Sequence, residues 1–261
     1  MQTRPQRLRR RLLNAAHWAH AAYVEPEGSP IRWQCHTSSG ILHFKDGHLI
    51  VGITGSDQSS DIWHDLTLYS RSMDEWSVAA DIKLAEDSKG VVTTTGFLDH
   101  TANAYEGIMA KLRSMGVDQG DITSVSLSGH SLGGAVAYLL QHTEAFGHDS
   151  RAYVFGCPKV YKRGSRIPER LRSSCWKHND IVTYGPWSCV HPSCQDLILT
   201  YPGQVPRTEV PGWLRVPMAS WVLLSWVYGA ACELKGMCGD ETSYGLFKSH
   251  SMTEYLQCLE L

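Results

Sequence analysis

The sequence lacks a strong excess of charge of either sign. Its 24 Lys and Arg residues nearly balance its 26 Asp and Glu residues, giving a formal net charge of -2. A basic face is therefore not indicated, and we expect no nucleic-acid partner. Internal repeats and low-complexity segments are also lacking. With 261 residues, 43% of them hydrophobic, the chain is predicted to form a single α/β domain over residues 1–261.

An uninterrupted apolar core of a secretory signal is also lacking after Met1, where five arginines follow within eleven residues. This start favours a cytoplasmic location, with peripheral membrane association left open. A domain of this size does not need disulfides, so the eight cysteines are interpreted as reduced thiols. Cys189, His191 and Cys194 contain metal-binding groups, but an obvious fourth ligand is missing and the spacing matches no standard zinc module. We expect no metal site.

Residues 6–24 place apolar side chains on one helical face and arginines on the other, which predicts an amphipathic helix within an N-terminal arm, residues 1–30. The favoured interpretation is a helix packed against the edge of the domain. An anchor on an anionic membrane and a transit peptide are the alternatives.

The central motif is Gly129-His130-Ser131-Leu132-Gly133, which has the form G-x-S-x-G. Residues 122–127 alternate like a short buried strand, and residues after Ser131 have helical periodicity. A serine in this strand-to-helix turn is typical of a nucleophile elbow, which exposes the hydroxyl at a helix N-terminus. A phosphate-binding loop is disfavoured because no Lys-Ser/Thr pair follows the glycines.

Further strands and helices are predicted to alternate around this motif. The pattern predicts a β-hairpin with strands at 41–44 and 49–53, strands at 91–96, 151–156, 175–178 and 196–200, and helices at 97–115, 166–172 and 251–259. Such alternation favours a largely parallel central sheet flanked by helices. The hairpin runs into residues 54–57, the place where an α/β-hydrolase supplies an oxyanion donor.

A Trp-rich segment without charged residues spans 216–232, inside a predicted cap or lid insertion at about 205–240. Apolar residues cover its whole circumference, so it needs burial in protein or contact with lipid. A lid or interfacial cap is the favoured interpretation. A core helix and a membrane span, marginal at this length, are the alternatives.

The order of acid and base residues after Ser131 fits a serine hydrolase. An elbow serine needs a base to accept its proton, and the base needs an anionic partner. His250 stands near the C-terminus, where the base is expected, and Asp180 follows a predicted strand, where the acid is expected. Asp196 is the alternative acid.

Six segments occur in the order found in class 3 lipases, the fungal-type triacylglycerol lipase family of the α/β-hydrolases. They are ITGSDQSSDIWHDL (53–66), TTGFLDH (94–100), SLSGHSLGGAVA (126–137), VFGCPKV (154–160), HNDIV (178–182) and SHSMTEYL (249–256). The chain resembles this family from about residue 50 to 256. The usual Arg before the oxyanion-loop glycine is Thr54 here, which puts the bracing of that loop in doubt but not its donor.

The resemblance implies an α/β-hydrolase fold and a triad of Ser131, Asp180 and His250. It also implies oxyanion donors at Ser56 and Leu132, a lid helix at 61–66, and a buried Cys157 that is not a nucleophile. Candidates for contact with the substrate are Trp63, Trp221 and Leu224.

The implied reaction is the cleavage of carboxylic esters of lipids through an acyl-enzyme, with no cofactor or metal. The implied partner is a lipid or acyl-ester substrate, with possible transient contact with a lipid interface, and the oligomeric state is not indicated. Alternatives with the same triad are a phospholipase A-type enzyme, a small-ester esterase and an acyltransferase. A catalytically silent lipid-binding protein on this fold is the alternative of another class.

Overall fold

The computed structural model describes residues 4–55, 69–147, 149–168, 174–177, 182, 189–190, 197–199 and 251–260. No helix among them is both long enough and apolar enough to cross a membrane. The expected lid helix at 61–66 and the Trp-rich segment 216–232 lie outside these residues.

The elements follow one another along the chain as strands interleaved with helices. The helices are α1 (Arg4–Val24), α2 (Met73–Ala80), α3 (Thr95–Ser114), α4 (Leu132–Leu140), α5 (Glu144–Gly147) and α6 (Met252–Glu260). The strands are β1 (Arg32–Cys35), β2 (Ser38–Lys45), β3 (His48–Ile53), β4 (Ser70–Ser72), β5 (Val92–Thr94), β6 (Ser124–His130), β7 (Ser150–Phe155), β8 (Tyr161–Lys162), β9 (Ser174–Lys177), β10 (Cys189–Val190) and β11 (Leu197–Leu199).

The central sheet has seven strands in the order β1-β2-β3-β6-β7-β9-β11. β1 and β3 pair antiparallel with β2, whereas β3, β6, β7, β9 and β11 are mutually parallel. The hairpin between β2 and β3 turns at Asp46 and Gly47, both with positive φ, as a tight two-residue hairpin requires. The predicted, largely parallel sheet is confirmed.

Helices cover both faces of the central sheet. Successive β7 side chains point to opposite faces, so Tyr153 and Phe155 pack with α1 and α6, while Ala152 and Val154 pack with α3 and α4. The apolar face of α1 is buried in this way, which confirms a packed N-terminal helix and explains its amphipathic pattern.

A second sheet accounts for the largest difference from the prediction. β5, at the predicted strand 91–96, pairs antiparallel with β4 and β8 in a four-stranded sheet and lies outside the central one. The hydroxyl of the buried Thr93 in β5 donates to the carbonyl of Val160, the residue just before β8, and so links these two strands. A β-branched run predicts a strand but not its partners.

Some local elements differ from the prediction, and one predicted helix end is confirmed. β1 and α2 were not predicted, because both are short and their periodicity is weak. The predicted helix 166–172 was partly wrong, since residues 166–168 are not helical and the remainder lies outside the described residues. The predicted end of α3 at Gly116, which has φ +71°, is confirmed.

Candidate active site

Ser131 lies in a sharp turn between β6 and α4. Strand β6 ends at His130, α4 begins at Leu132, and Ser131 between them has φ 56° and ψ −126°. A side chain at positive φ is strained by about 1–3 kcal/mol and is retained only where the surroundings enforce it. This geometry is the one expected of a nucleophile elbow.

Glycines on both sides of Ser131 allow the close packing that enforces this turn. A Cβ at Gly129 would collide with the backbone of Gly133, and a Cβ at Gly133 would lie 2.5 Å from the Ile53 carbonyl oxygen and 2.6 Å from that of Thr54. Strand β6, the first turn of α4 and the end of β3 therefore touch through bare backbone. Any larger residue at the two glycines would push these elements apart.

The backbone of Ser131 is fixed by hydrogen bonds, whereas its hydroxyl is not. Its N–H donates to the Phe155 carbonyl at 2.9 Å, and its carbonyl accepts from Gly134 N at 3.0 Å. Its Oγ is buried and makes no hydrogen bond to any residue that the structure describes. Buried hydroxyls are usually hydrogen-bonded, so this oxygen is suited to a bond with a catalytic base.

The loop after β3 runs directly beside Ser131. In the parallel pairing of β3 with β6, Ile53 lies opposite Gly129, so Thr54 and Gly55 follow alongside His130 and Ser131. A Cβ at Gly55 would lie 2.9 Å from the Ser131 Cβ. The predicted oxyanion loop therefore begins beside Ser131.

Thr54 braces this loop although the usual Arg is missing. Its N–H and its hydroxyl both donate to the Ser39 carbonyl, at 3.0 and 2.7 Å. The Thr54 hydroxyl also lies 3.0 Å from the Ser39 hydroxyl. The bracing that the sequence comparison left in doubt is supplied by Thr54 and β2.

Leu132, the second predicted oxyanion donor, is the first residue of α4 and is buried. The N–H groups of a helix's first turn have no acceptor within the helix. The Leu132 N–H therefore faces the N-terminal end of α4, where the helix dipole favours negative charge.

A tyrosine that sequence reasoning missed links the elbow to the oxyanion loop. The Tyr23 hydroxyl accepts the Gly55 N–H at 2.8 Å and lies 2.9 Å from His130 Nδ1. The His130 ring also contacts Tyr255 of α6 edge-on, with ring centroids 6.0 Å apart. The sequence did carry one signal for this residue, because the helix that ends in Ala21-Ala22-Tyr23 also resembles the opening of class 3 lipases.

The chain after β7 closes the other side of the elbow. Cys157 is buried, its thiol donates to the Pro158 carbonyl at 3.2 Å, and its Cβ lies against Gly134. This burial fits the predicted role as a neighbour of the site.

The pKa of Lys159, two residues after Cys157, is lowered by burial and then by the positive charge of Arg163. Cys189 partly offsets this lowering of the pKa.

Several predicted site residues lie outside the described part of the chain. They are Ser56, Trp63, Asp180, Asp196, His191, Cys194, Trp221, Leu224 and His250. The predicted acid and base nevertheless follow or precede described elements closely. β9 ends at Lys177, three residues before Asp180, and α6 begins at Met252, two residues after His250.

Comparison with known proteins gives the same family. The sequence model of the family described as lipase (class 3) matches residues 50–186, just over half of the chain. No curated protein sequence matches closely enough to count as a relative.

Solved lipase structures share the fold. Lip2 lipase from Yarrowia lipolytica has 20% identity and a TM-score of 0.58 over 78% of this chain and 82% of that one. The lipase from Rhizopus microsporus var. chinensis has 19% identity and a TM-score of 0.52, with 80% and 77% coverage. Lipase II from Rhizopus niveus has 17% identity and a TM-score of 0.55, with 77% and 83% coverage.

At these identities the solved structures establish the fold, an α/β-hydrolase, while the family match extends across the elbow and the loop beside it. The elbow geometry and the family match together make this chain a member of the class 3 lipase family, a carboxylic ester hydrolase with an α/β-hydrolase fold.

Proposed function

We propose that Ser131 is the nucleophile of a Ser131, His250, Asp180 triad that transfers acyl groups from lipid esters to water. The observation that carries this proposal is the strained backbone of Ser131 with Gly55 packed against it. This arrangement brings a buried hydroxyl, a helix N-terminus and the start of the loop that leads to Ser56 to one point.

The positions of β9 and α6 support the choice of acid and base. β9 pairs in parallel with β7, so the carboxyl end of β9 lies at the same end of the sheet as Ser131. Asp180 follows three residues later. Tyr255, in the first turn of α6, contacts His130 next to Ser131, which tethers the helix that begins just after His250. Asp196 comes just before β11. The amino end of this strand lies at the end of the sheet opposite to Ser131, which disfavours Asp196 as the acid.

In the proposed reaction, His250 accepts the Ser131 proton while Oγ attacks the ester carbonyl. The tetrahedral oxyanion accepts hydrogen bonds from Leu132 N–H and from Ser56, and each donor is worth about 3–4 kcal/mol of barrier. His250 then protonates the leaving alcohol. Water, deprotonated by His250, attacks the acyl-enzyme and releases the fatty acid.

Lipid esters presented at an interface are the proposed substrates. Ser131 is only 1% exposed, so an ester reaches it only after a rearrangement opens a path. A lipid interface would stabilise an open form that exposes apolar surface. Trp63 and the Trp-rich segment with Trp221 and Leu224 would then contact the acyl chain.

The test is the hydrolysis of a chain-length series of p-nitrophenyl esters, an emulsified triglyceride and a labelled phospholipid. Ser131→Ala should lower ester turnover by roughly 10⁶-fold and leave the fold intact. Ser128→Ala is the matched control, since it removes a buried hydroxyl three residues away, one that bonds to the Ala15 carbonyl of α1. Equal rates for Ser131→Ala and wild type would refute the proposal.

The same assays separate the alternatives. A rate that rises steeply when the ester forms micelles supports an interfacial lipase, and head-group preference distinguishes triglyceride from phospholipid. Best activity on short monomeric esters would indicate an esterase. Formation of a new ester in place of the free acid, when an alcohol is added, would indicate an acyltransferase. Lipid binding without any turnover would indicate a catalytically silent binding protein.

A further inference from the structure

Three side chains of different metal-binding types meet away from the elbow, at the end of β1. Cys35 ends this edge strand, His36 opens the turn that follows, and Glu106 lies on α3. The Cys35 sulfur, an imidazole nitrogen of His36 and a carboxylate oxygen of Glu106 all lie within 4.8 Å of one another. We call these residues the hairpin cluster.

The spacing of the hairpin cluster is close to that of a tetrahedral metal site. With Zn–S near 2.3 Å and Zn–N and Zn–O near 2.0–2.2 Å, two ligand atoms in a tetrahedron lie about 3.4–3.6 Å apart. Small side-chain rotations bring atoms within 4.8 Å to that separation. All three groups are at least partly accessible to solvent, so a hydrated cation can reach them.

The backbone is built to bring Glu106 to Cys35. The next residue, Gly107, lies in the middle of α3, where glycine weakens a helix by about 1 kcal/mol. A Cβ at Gly107 would lie 2.8 Å from the Trp33 ring and 3.0 Å from the Cys35 Cβ. Glycine is therefore required for α3 to approach β1 this closely.

The turn between β1 and β2 is fastened to the same helix. The Ser38 hydroxyl donates to the His100 carbonyl at 3.0 Å, and the Asn103 amide donates to the Thr37 hydroxyl at 3.1 Å. His36 has φ 47°, an uncommon conformation for a residue other than glycine. These contacts hold the three candidate ligands on two rigid elements.

We propose that Cys35, His36 and Glu106 bind a divalent cation of the zinc class, with water as the fourth ligand. Thiolate and imidazole ligands select zinc-like ions over Mg²⁺ and Ca²⁺, which prefer oxygen ligands. The cation replaces the thiol proton, which leaves to solvent as the sulfur–metal bond forms. The Glu106 carboxylate lies within 4.8 Å of that sulfur, and the cation would bridge these two groups.

The site is distinct from the proposed catalytic centre. Three strand spacings separate β1 from β6 in the sheet, so the hairpin cluster lies about 14 Å from the elbow along the sheet. A cation bound there would link β1 to α3. Its expected effect is therefore on thermal stability, through preferential binding to the folded chain.

The test uses Co²⁺ alone, added to reduced, metal-stripped full-length protein after the reductant is removed. Wild type should develop a thiolate-to-cobalt charge-transfer band and a higher Tm, both saturating at one ion per chain. Cys35→Ser should lose both. His36→Asn, which tolerates positive φ, and Glu106→Gln should each weaken binding by roughly tenfold or more.

The matched control is the double variant Cys189→Ser and Cys194→Ser, which removes two other candidate ligands and should keep the band. Circular dichroism confirms that each variant is folded. A wild type without the band, or a band that survives Cys35→Ser, overturns the proposal. Loss of the band in Cys35→Ser with unchanged binding in both His36→Asn and Glu106→Gln overturns the three-ligand site.

Discussion

The hydroxyl of Tyr23 accepts a hydrogen bond from the backbone N–H of Gly55 at 2.8 Å. The same oxygen lies 2.9 Å from Nδ1 of His130, which precedes the proposed nucleophile. A residue at the end of α1 thus fixes the oxyanion loop relative to the elbow. Catalysis by backbone donors depends on their position before the reaction begins, so Tyr23 is expected to act as a positioning residue.

Tyr23→Phe should therefore lower kcat more than it changes KM. Without the hydroxyl, the Gly55 N–H loses its acceptor and the loop gains freedom, which should lower kcat by about tenfold, or about 1.4 kcal/mol. Initial rates on a soluble p-nitrophenyl ester give both constants. Tyr153→Phe is the control, since it removes the hydroxyl of a buried β7 tyrosine that also packs with α1. A change in KM with unchanged kcat would contradict the positioning role.

Gly55→Ala tests the contact between the loop and Ser131, the proposed nucleophile. The new Cβ would lie 2.6 Å from both the His130 carbonyl and the Tyr23 hydroxyl, and 2.9 Å from the Ser131 Cβ. The loop must shift, and we expect kcat/KM to fall by about 100-fold. Gly120→Ala, where a Cβ meets nothing within 4 Å, should leave kcat/KM and Tm unchanged. Wild-type kinetics in Gly55→Ala would show that the loop position does not limit the reaction.

The elbow could be predicted from sequence because its determinants are local. Gly129, Ser131 and Gly133 lie within five residues, and the change from strand to helical periodicity occurs at the same place. The turn at Asp46 and Gly47 is equally local, and its positive φ angles are those that an Asp-Gly pair predicts.

The role of Tyr23 could not be predicted in this way, because 107 residues separate it from His130 and no periodicity connects them. The separate sheet of β5 was missed for a similar reason. Its partners, β4 and β8, lie on either side of it in the chain, and sequence patterns do not specify strand pairing.

Leu12→Ala tests whether α1 is an integral part of the fold. Leu12 of α1 is buried in the cluster that α1 forms with α6 and β7. Removing its side chain leaves a cavity and should lower the free energy of unfolding by about 2–5 kcal/mol. Arg10→Ala, on the exposed face of the same helix, should change it by less than about 0.5 kcal/mol. Urea denaturation measures both, and equal stabilities would mean that α1 contributes little to folding.

Glu106→Gln should accelerate the alkylation of Cys35 in metal-free protein. Burial, then the negative charge of Glu106 and its hydrogen bond, raise the pKa of the Cys35 thiol above its ordinary value. The thiolate is the reactive form, so near neutral pH wild-type Cys35 should react slowly with iodoacetamide. Removing the charge lowers the pKa of the thiol and should raise the rate at least about twofold.

The dependence of this rate on pH separates a pKa effect from a change in access to Cys35. Below the pKa of both thiols, the ratio of the variant's rate to the wild type's should be constant and greater than one. As pH rises through the lower and then the higher pKa, both thiols ionise fully and the ratio should fall towards one. Mass spectrometry of the peptide containing Cys35 measures the rates in EDTA. Glu27→Gln, at an exposed carboxylate, is the control. A ratio that stays constant at high pH would mean that Glu106 restricts access and not ionisation.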